Sequence, residues 1–411
     1  MASVIFWLLA LVLLASLAGM GYRQGAVRVA FSLVGILLGA LLAGPLGRLL
    51  KPLLVAVGVK NPVLTWALGP LIVFLIISIA FKIAAFSVHQ KVDVHFKYHV
   101  GDLRLALWER LSHRLGLCLG LFNGAVYIIL ISFVIYAFSY WTVQLTTDER
   151  DSRTVRIFNR LGEDLQSTGF AKVARAIDSL SPAYYQAADL AGLIYKNPLL
   201  EARLARYPGF LGLAERPEFQ DLGGDTQFTE LRQRGEPIVA LMDDPKAQAI
   251  LQNPDLLKTI WATVVPELKD LPVFLTTGRS PKYDSEKILG RWNFNPNVAM
   301  SLFRRAKPNT SSTEMLKWKK WMMTAFAKTS FVAMTDHQAI LKNVPQIRPT
   351  AVGAASAGGP QTLKGQWKAA DGKYQLALSG GSRDEVLMAN LDGDRLTFGM
   401  EGLDLAFDRE D

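Results

Sequence analysis

Four long apolar runs occupy the first third of the chain, Val4 to Met20, Val29 to Leu46, Val63 to Phe81 and Leu115 to Phe138, and nothing comparable follows them. Each is close to the ~20 residues that a helix needs to cross a bilayer core. No water is present there to satisfy backbone N–H and C=O groups, so the runs are expected as helices. The implied fold class is a membrane α-helical bundle of four transmembrane helices carrying a large soluble part. Ser16-Leu17-Ala18 offers small residues for signal cleavage, but no Lys or Arg precedes the first run. A signal peptide wants a positive start, so this run is expected as a retained span.

Charge divides the chain in the same place. Residues 1–141 hold eleven Lys and Arg against three acids, Asp93, Asp102 and Glu109, whereas the remainder holds 34 basic and 33 acidic residues. The excess behind the net charge of +9 therefore sits in short loops between spans. The insertion rule for Lys and Arg explains it there, and nucleic acid is not expected as a partner. The single cysteine, Cys118, lies inside the fourth run, which excludes an intrachain disulfide and a thiolate metal site.

The loop charges also orient the bundle. Loop one holds Arg23 and Arg28, and loop three holds Lys82, Lys91, Lys97, Arg104, Arg110 and Arg114. Loop two holds only Arg48, Lys51 and Lys60. The bias places loops one and three in the cytoplasm and both termini on the extracytoplasmic side of an inner (cytoplasmic) membrane. Within loop three, Leu103, Leu107, Trp108 and Leu111 recur at helical spacing among arginines. That pattern suits either a helix lying in the interface or a short amphipathic helix packed on the bundle, and the second is preferred.

Small residues mark where the spans can meet. Gly35 and Gly39 share a helix face, as do Gly116, Gly120 and Gly124, so backbones can approach where lipid gives no hydrophobic drive for association. Arg28 near the end of span two reads as a headgroup anchor, and Asn123 as a hydrogen-bonding group between helices. The turn from span one to span two reads Gly21-Tyr22-Arg23-Gln24-Gly25-Ala26-Val27-Arg28, and span four opens Arg114-Leu115-Gly116 before its glycine ladder. Over roughly residues 1–141 this resembles the colicin V production protein family, four-span inner-membrane proteins with a glycine and arginine turn after the first helix. Two features depart from that pattern: span one has no acidic residue at its start, and Asn123 stands where relatives often carry arginine. The resemblance implies a role in toxin production or export and in envelope homeostasis, and it implies that an extracytoplasmic domain, in some relatives a serine protease, can be fused to the spans. It supplies no catalytic residue; the turn Gly21, Arg23, Gly25 and Arg28 is its motif.

Beyond residue 145 the periodicity predicts short amphipathic helices over Ser152–Leu165, Ala171–Leu180, Pro182–Tyr195, Leu199–Tyr207 and Ala247–Leu268. A helical segment over 146–285, a small domain or a stalk, is expected. The character changes at Ile288. About eight short strands, one helix over Thr313–Thr329 and a Gly/Ala/Ser linker at 351–361 predict a β-rich unit over 286–411. Asp371-Gly372 and Asp392-Gly393 are hairpin signals. Gly290-x-Trp292 and Gly365-x-Trp367 echo each other and resemble the strand start of lipocalin-like barrels. The set suits either a small antiparallel barrel or an open twisted sheet with a helix packed on it.

Chemistry is sparse. The tail has one histidine, His337, at an expected hairpin turn, and no Gly-x-Ser-x-Gly, so a Ser-His-Asp hydrolase is not expected. His89, His95, His99, His113 and Asp93 gather in loop three; a metal site is conceivable there, but interfacial histidines are the preferred reading. No cofactor, metal or catalytic residue is expected. Trp318, Trp321, Met322 and Ala325 form a helical stripe among Lys317, Lys319, Lys320 and Lys328. It reads as a basic amphipathic helix touching membrane or partner, or, preferably, as a helix closing the barrel. Three functions are open: a non-enzymatic membrane scaffold contacting the lipid bilayer, envelope proteins or a second copy; a membrane-tethered barrel that binds an apolar ligand; and a transporter subunit. The last suffers from the near absence of ionisable groups within the spans.

Overall fold

The computed structural model describes residues 3–59, 62–99, 101–146, 151–347, 357–380, 385–400 and 402–410. Five helices form the membrane part: α1 (Ser3–Gln24), α2 (Ala26–Leu49), the short α3 (Lys51–Ala56), α4 (Pro62–His99) and α5 (Asp102–Gln144). Four of these are long and apolar enough to cross a membrane. α1 and α2 are joined by a single residue, yet α1 packs mainly on α5 and α2 mainly on α4, with α5 and α2 in contact between them. Loop three differs from its expectation. It is not a loop carrying a separate interfacial helix: α4 runs 38 residues and α5 runs 43, so both continue well past the spans. At 1.5 Å per residue each exceeds a ~30 Å core by roughly 27 Å or more. No Gly or Pro interrupts the helical sequence between Phe81 and His99, and Gly101 is the first break. Phe96 of α4 stacks on Trp108 of α5 with centroids 4.6 Å apart, close to the hairpin tip.

The chain divides into two compact units, Met1–Leu193 with Leu222–Thr259, and Ile194–Asp221 with Ile260–Asp411. In the first unit α6 (Arg153–Ser167) and α7 (Phe170–Ala176) pack on α5, and α6 also on α1. The expected break near residue 145 thus falls inside a unit. Leu165 and Ala174 are fully buried with Phe6, Ile128 and Ile135, and the Phe170 ring lies 5.2 Å from those of both Phe6 and Trp7. Gly162 permits this approach, since a Cβ there would meet the Ser139 side chain at 2.5 Å. α8 (Pro182–Lys196) adds Tyr184 and Tyr185 to Tyr136, Tyr140, Trp66 and Trp141. Tyr140 donates to Asp189 at 2.8 Å and Tyr184 to the Ala137 carbonyl at 3.0 Å. Rings with a polar tip gathered at the ends of spans are what a membrane–water interface favours.

Short helices follow: α9 (Pro198–Leu204), α10 (Leu211–Ala214), α11 (Pro217–Gly223), α12 (Thr226–Gln233), α13 (Ile238–Met242), α14 (Pro245–Leu251), α15 (Pro254–Val264) and α16 (Leu271–Thr277). The single helix expected over Ala247–Leu268 is broken. Asn253 turns its side-chain oxygen to the N–H groups of Asp255 and Leu256 and, with Pro254, starts α15 afresh.

The second unit closes on a β-barrel. β1 (Gly290–Phe294), β2 (Ser330–Ala333), β3 (Gln338–Ile347), β4 (Ala357–Ala370), β5 (Lys373–Ser379), β6 (Glu385–Asp392), β7 (Arg395–Met400) and β8 (Leu403–Arg409) pair antiparallel in chain order, and β1 pairs with β8. Of the two arrangements open to the sequence, the barrel is found, with the up-and-down topology of a lipocalin-like unit. The linker expectation at 351–361 lies partly outside the described residues, and β4 already begins at Ala357. The hairpin at Asp371-Gly372 has both residues at positive φ, 48° and 75°, the type I′ geometry that twists with its strands. Two helices, not one, separate β1 from β2: α17 (Pro296–Ala306) and α18 (Ser312–Ala325). Asn295 caps α17, accepting from Asn297 and Val298 N–H, and Ser311 with Glu314 forms a capping box on α18.

Candidate functional site

At the α1–α2 turn, Ser112 and His113 of α5 meet the expected motif. Gly25 caps α2 at φ 78° and ψ 164°, a conformation open essentially to glycine. A Cβ there would also lie 2.7 Å from the Ser112 hydroxyl oxygen, which instead accepts from the Ala26 N–H at 3.1 Å. Ser112 comes from α5 and is buried. One residue on, His113 Nδ1 meets the Tyr22 carbonyl at 2.6 Å, so Nδ1 carries a proton as donor. The turn is therefore fastened to α5 by one hydroxyl and one imidazole.

Arg28, half-buried one turn into α2, places its guanidinium 5.4 Å from the centre of the Phe86 ring of α4. Its Nε is buried without a hydrogen-bond partner, and it pairs with no carboxylate among the described residues. Nearby on α4, His89 Nε2 lies 3.1 Å from Asp93, one turn away, while His89 Nδ1 is buried and unpartnered. Arg23 is exposed. Of the expected motif, the structure thus brings Gly21, Gly25 and Arg28 into the packing and leaves Arg23 outside it. His95 and His99 stack at 5.2 Å, apart from this cluster, and no three metal-ligating side chains converge among the described residues.

The glycines lie in two seams. Gly21 of α1 faces Gly116 of α5, and a Cβ on either would run into the other's carbonyl oxygen; Gly120 abuts the Leu17 carbonyl and Gly124 the Leu14 side chain. In the second seam Gly35 receives Phe81 and Gly39 receives Phe74, while Gly47 lies against Gly69 and Pro70. Asn123 donates across helices to Ser32 Oγ at 3.3 Å. The arrangement fixes helices. Among the described residues, the hydrogen bonds of these seams join backbone, hydroxyl and amide groups rather than a nucleophile and a base.

The second unit holds a buried polar knot that sequence reasoning missed. Tyr207, fully buried, brings its hydroxyl within 2.7 Å of Glu267 and 2.8 Å of Asp270, and one phenolic proton must serve both. Glu267 also accepts from Lys282 at 2.6 Å and from Tyr283 at 2.7 Å, and Asp270 accepts from the Lys282 N–H and the Ser280 hydroxyl. Burial, then acceptance by the two carboxylates, pushes the Tyr207 hydroxyl far above its ordinary range; burial and Glu267 also raise Tyr283. Burial pulls the Lys282 ammonium down, but Glu267 and Tyr283 more than reverse this and hold it above its usual value. The tyrosines remain protonated donors at any physiological pH. The signal in sequence was only a tyrosine ahead of proline and acids spaced three apart, which fixes no contact.

Inside the barrel the inward positions are bulky. Trp292, Phe331 and Phe407 are fully buried, and Phe398 stacks on Phe407 at 5.1 Å. The two Gly-x-Trp elements do different work. Gly290 needs its positive φ of 136°, whereas a Cβ on Gly365 would strike the Ala377 carbonyl of the neighbouring strand. Each indole donates to a carbonyl, Trp292 to Ile288 and Trp367 to Met334, and Arg409 lies 4.5 Å over the Trp292 ring while bonding the Leu289 carbonyl.

A family model described as colicin V production protein matches residues 7–163. The match covers the four spans and runs into α6, the helix that packs back on α5. No curated protein and no solved structure matches the chain.

Proposed function

We propose, taking as premise that residues 7–163 of this multi-pass membrane protein are a colicin V production region, that the chain is a non-enzymatic scaffold of the inner membrane. In this reading it serves toxin production or export and envelope homeostasis, and its soluble part binds envelope proteins or a second copy on the extracytoplasmic side. The observation that carries it is a pair of closed interiors. The spans are seamed by glycines rather than lined by ionisable groups, and the barrel lumen is taken up by Trp292, Phe331, Phe398 and Phe407. A lumen so filled leaves little room for an apolar guest, which counts against the tethered ligand-binding barrel. Spans so poor in charge count against a transporter subunit.

The orientation rests on loop charge. Loops one and three carry eight Lys and Arg, loop two carries three, and Arg150, Arg153, Arg156 and Arg160 after the fourth span stand with the termini, so the balance favours loops one and three by eight to seven. A periplasm-dependent and a cytoplasm-dependent reporter fused to the C-terminus test this directly; activity of the cytoplasmic one rejects the extracytoplasmic scaffold. The role itself is tested in a strain lacking the chain, by export of a small peptide toxin and by tolerance of detergent. Rescue by the full chain but not by residues 1–163 is expected. Unchanged phenotypes in the null strain, or full rescue by the spans alone, would overturn it.

A further inference from the structure

The tryptophans of α18 do not supply a membrane-binding face. Trp318 and Trp321 pack on the barrel core beside fully buried Phe326 and nearly buried Met322, with Phe303 and Trp318 at 5.0 Å and Trp318 and Trp321 at 5.4 Å. The opposite face is left with an unusual mixture. Leu316 is 69% exposed and Met323 is 51% exposed, seven residues apart and hence on one line of the helix, with Lys319 and Lys320 between them.

Charge around this line is one-sided. Between residues 296 and 330 the chain carries Arg304, Arg305, Lys307, Lys317, Lys319, Lys320 and Lys328, and its only acid there is Glu314. Glu314 is engaged with Ser311 in the capping box. All seven basic residues are exposed, and none forms an ion pair among the described residues. The rest of the soluble part after residue 141 carries 27 basic and 32 acidic residues, so this concentration is local.

We propose that the outer face of α17 and α18 is a docking surface for an anionic bilayer, with Leu316 and Met323 entering the headgroup boundary and the surrounding Lys and Arg held by lipid phosphates. Apolar side chains alternating with lysines on one helical face are the pattern of a helix that lies in an interface. The charge complements an anionic lipid surface, and polybasic attraction falls away within a Debye length, which makes it dependent on salt and lipid. The four spans already hold the chain to a bilayer, so the surface meets lipid at high effective concentration and each contact can be individually weak. The half-buried tryptophans, packed on the barrel core, act as the rigid backing that keeps the face in shape.

The test uses the full chain with Cys118→Ala and one new cysteine, Leu316→Cys or Met323→Cys, carrying a nitroxide label. The protein is reconstituted into vesicles of pure phosphatidylcholine or of phosphatidylcholine rich in phosphatidylglycerol, and collisions with oxygen and with a water-soluble nickel chelate are measured. A label at Lys373→Cys, on the β4–β5 hairpin, serves as the reference. In phosphatidylglycerol vesicles the labels at 316 and 323 are expected to lose nickel collisions several-fold and to gain oxygen collisions, while the reference stays open to nickel. High salt, phosphatidylcholine or the pair Lys319→Glu and Lys320→Glu should restore nickel access. Nickel access unchanged by phosphatidylglycerol overturns the proposal. Equal protection in both lipids overturns it as well, and protection that grows with protein density whatever the lipid assigns the face to a second copy instead.

Discussion

At residue scale the α1–α2 connection depends on two glycines for different reasons. Gly25 needs its backbone angle, and Gly21 with Gly116 needs the missing Cβ. Gly25→Ala should destabilise the detergent-solubilised protein by about 1–3 kcal/mol, the usual cost of forcing a side chain into that region of φ and ψ. A denaturation midpoint in mild detergent titrated with sodium dodecyl sulfate measures it. Gly116→Leu should do more, splitting α1 from α5 and yielding no monodisperse peak on size exclusion, while Gly44→Leu, where a Cβ meets nothing within 4 Å, should leave the peak intact. Tyr207→Phe removes the donor shared by buried Glu267 and half-buried Asp270 and should cost about 1–3 kcal/mol. The spacing of Gly116, Gly120 and Gly124 told which residues share a face, because helical geometry dictates that alone. Which backbone they would meet was not legible, since the choice of α1 over α2 lies in tertiary packing. Ser112, His113 and His89 were unreadable as neighbours of the turn for the same reason: they are 64 or more positions away in the chain.

At the scale of elements, legibility tracked how strictly a pattern must repeat. The eight strands were readable because every barrel wall alternates buried and open positions, and Trp367, Leu376 and Ala389 keep that beat. α17 was overlooked although Asn295-Pro296 is a start signal, because it follows a strand without a gap. The extensions of α4 and α5 were misjudged because hydropathy marks where lipid ends, not where a helix ends. Tyr374 offers a titration at this scale. Burial first, then its 2.8 Å hydrogen bond to Glu286, pushes its hydroxyl up to about 12 from an ordinary value near 10. A raised value in the folded state means that the stabilisation is complete below about pH 10 and drains away as pH climbs towards about 12. Melting temperature should therefore fall over that window, and Tyr374→Phe should make the fall shallower without steepening anything below pH 9 or so.

For the whole molecule the decisive fact is that neither unit is a continuous stretch. The first takes back residues 222–259 after the second has claimed 194–221. The knot of Tyr207 with Glu267 and Asp270 is one clasp that closes this excursion within the second unit, and Arg291 and Lys342 on Glu215 are another. A single protease cut between α12 and α15 should then give two fragments that co-elute on size exclusion in detergent. In the same experiment with Tyr207→Phe and Glu215→Ala together, the fragments should separate more readily.

The clasp also has a timetable. Tyr207 precedes Glu267 by 60 residues, so at ordinary elongation rates of about 5–20 residues per second it leaves the ribosome roughly 3–12 s before its acceptor does. For that interval the newborn segment carries the hydroxyl and apolar surface of a future core with nothing to close upon. Translation speed through codons 222–259 thus sets how long that surface stays open to whatever chaperone or neighbouring chain reaches it first.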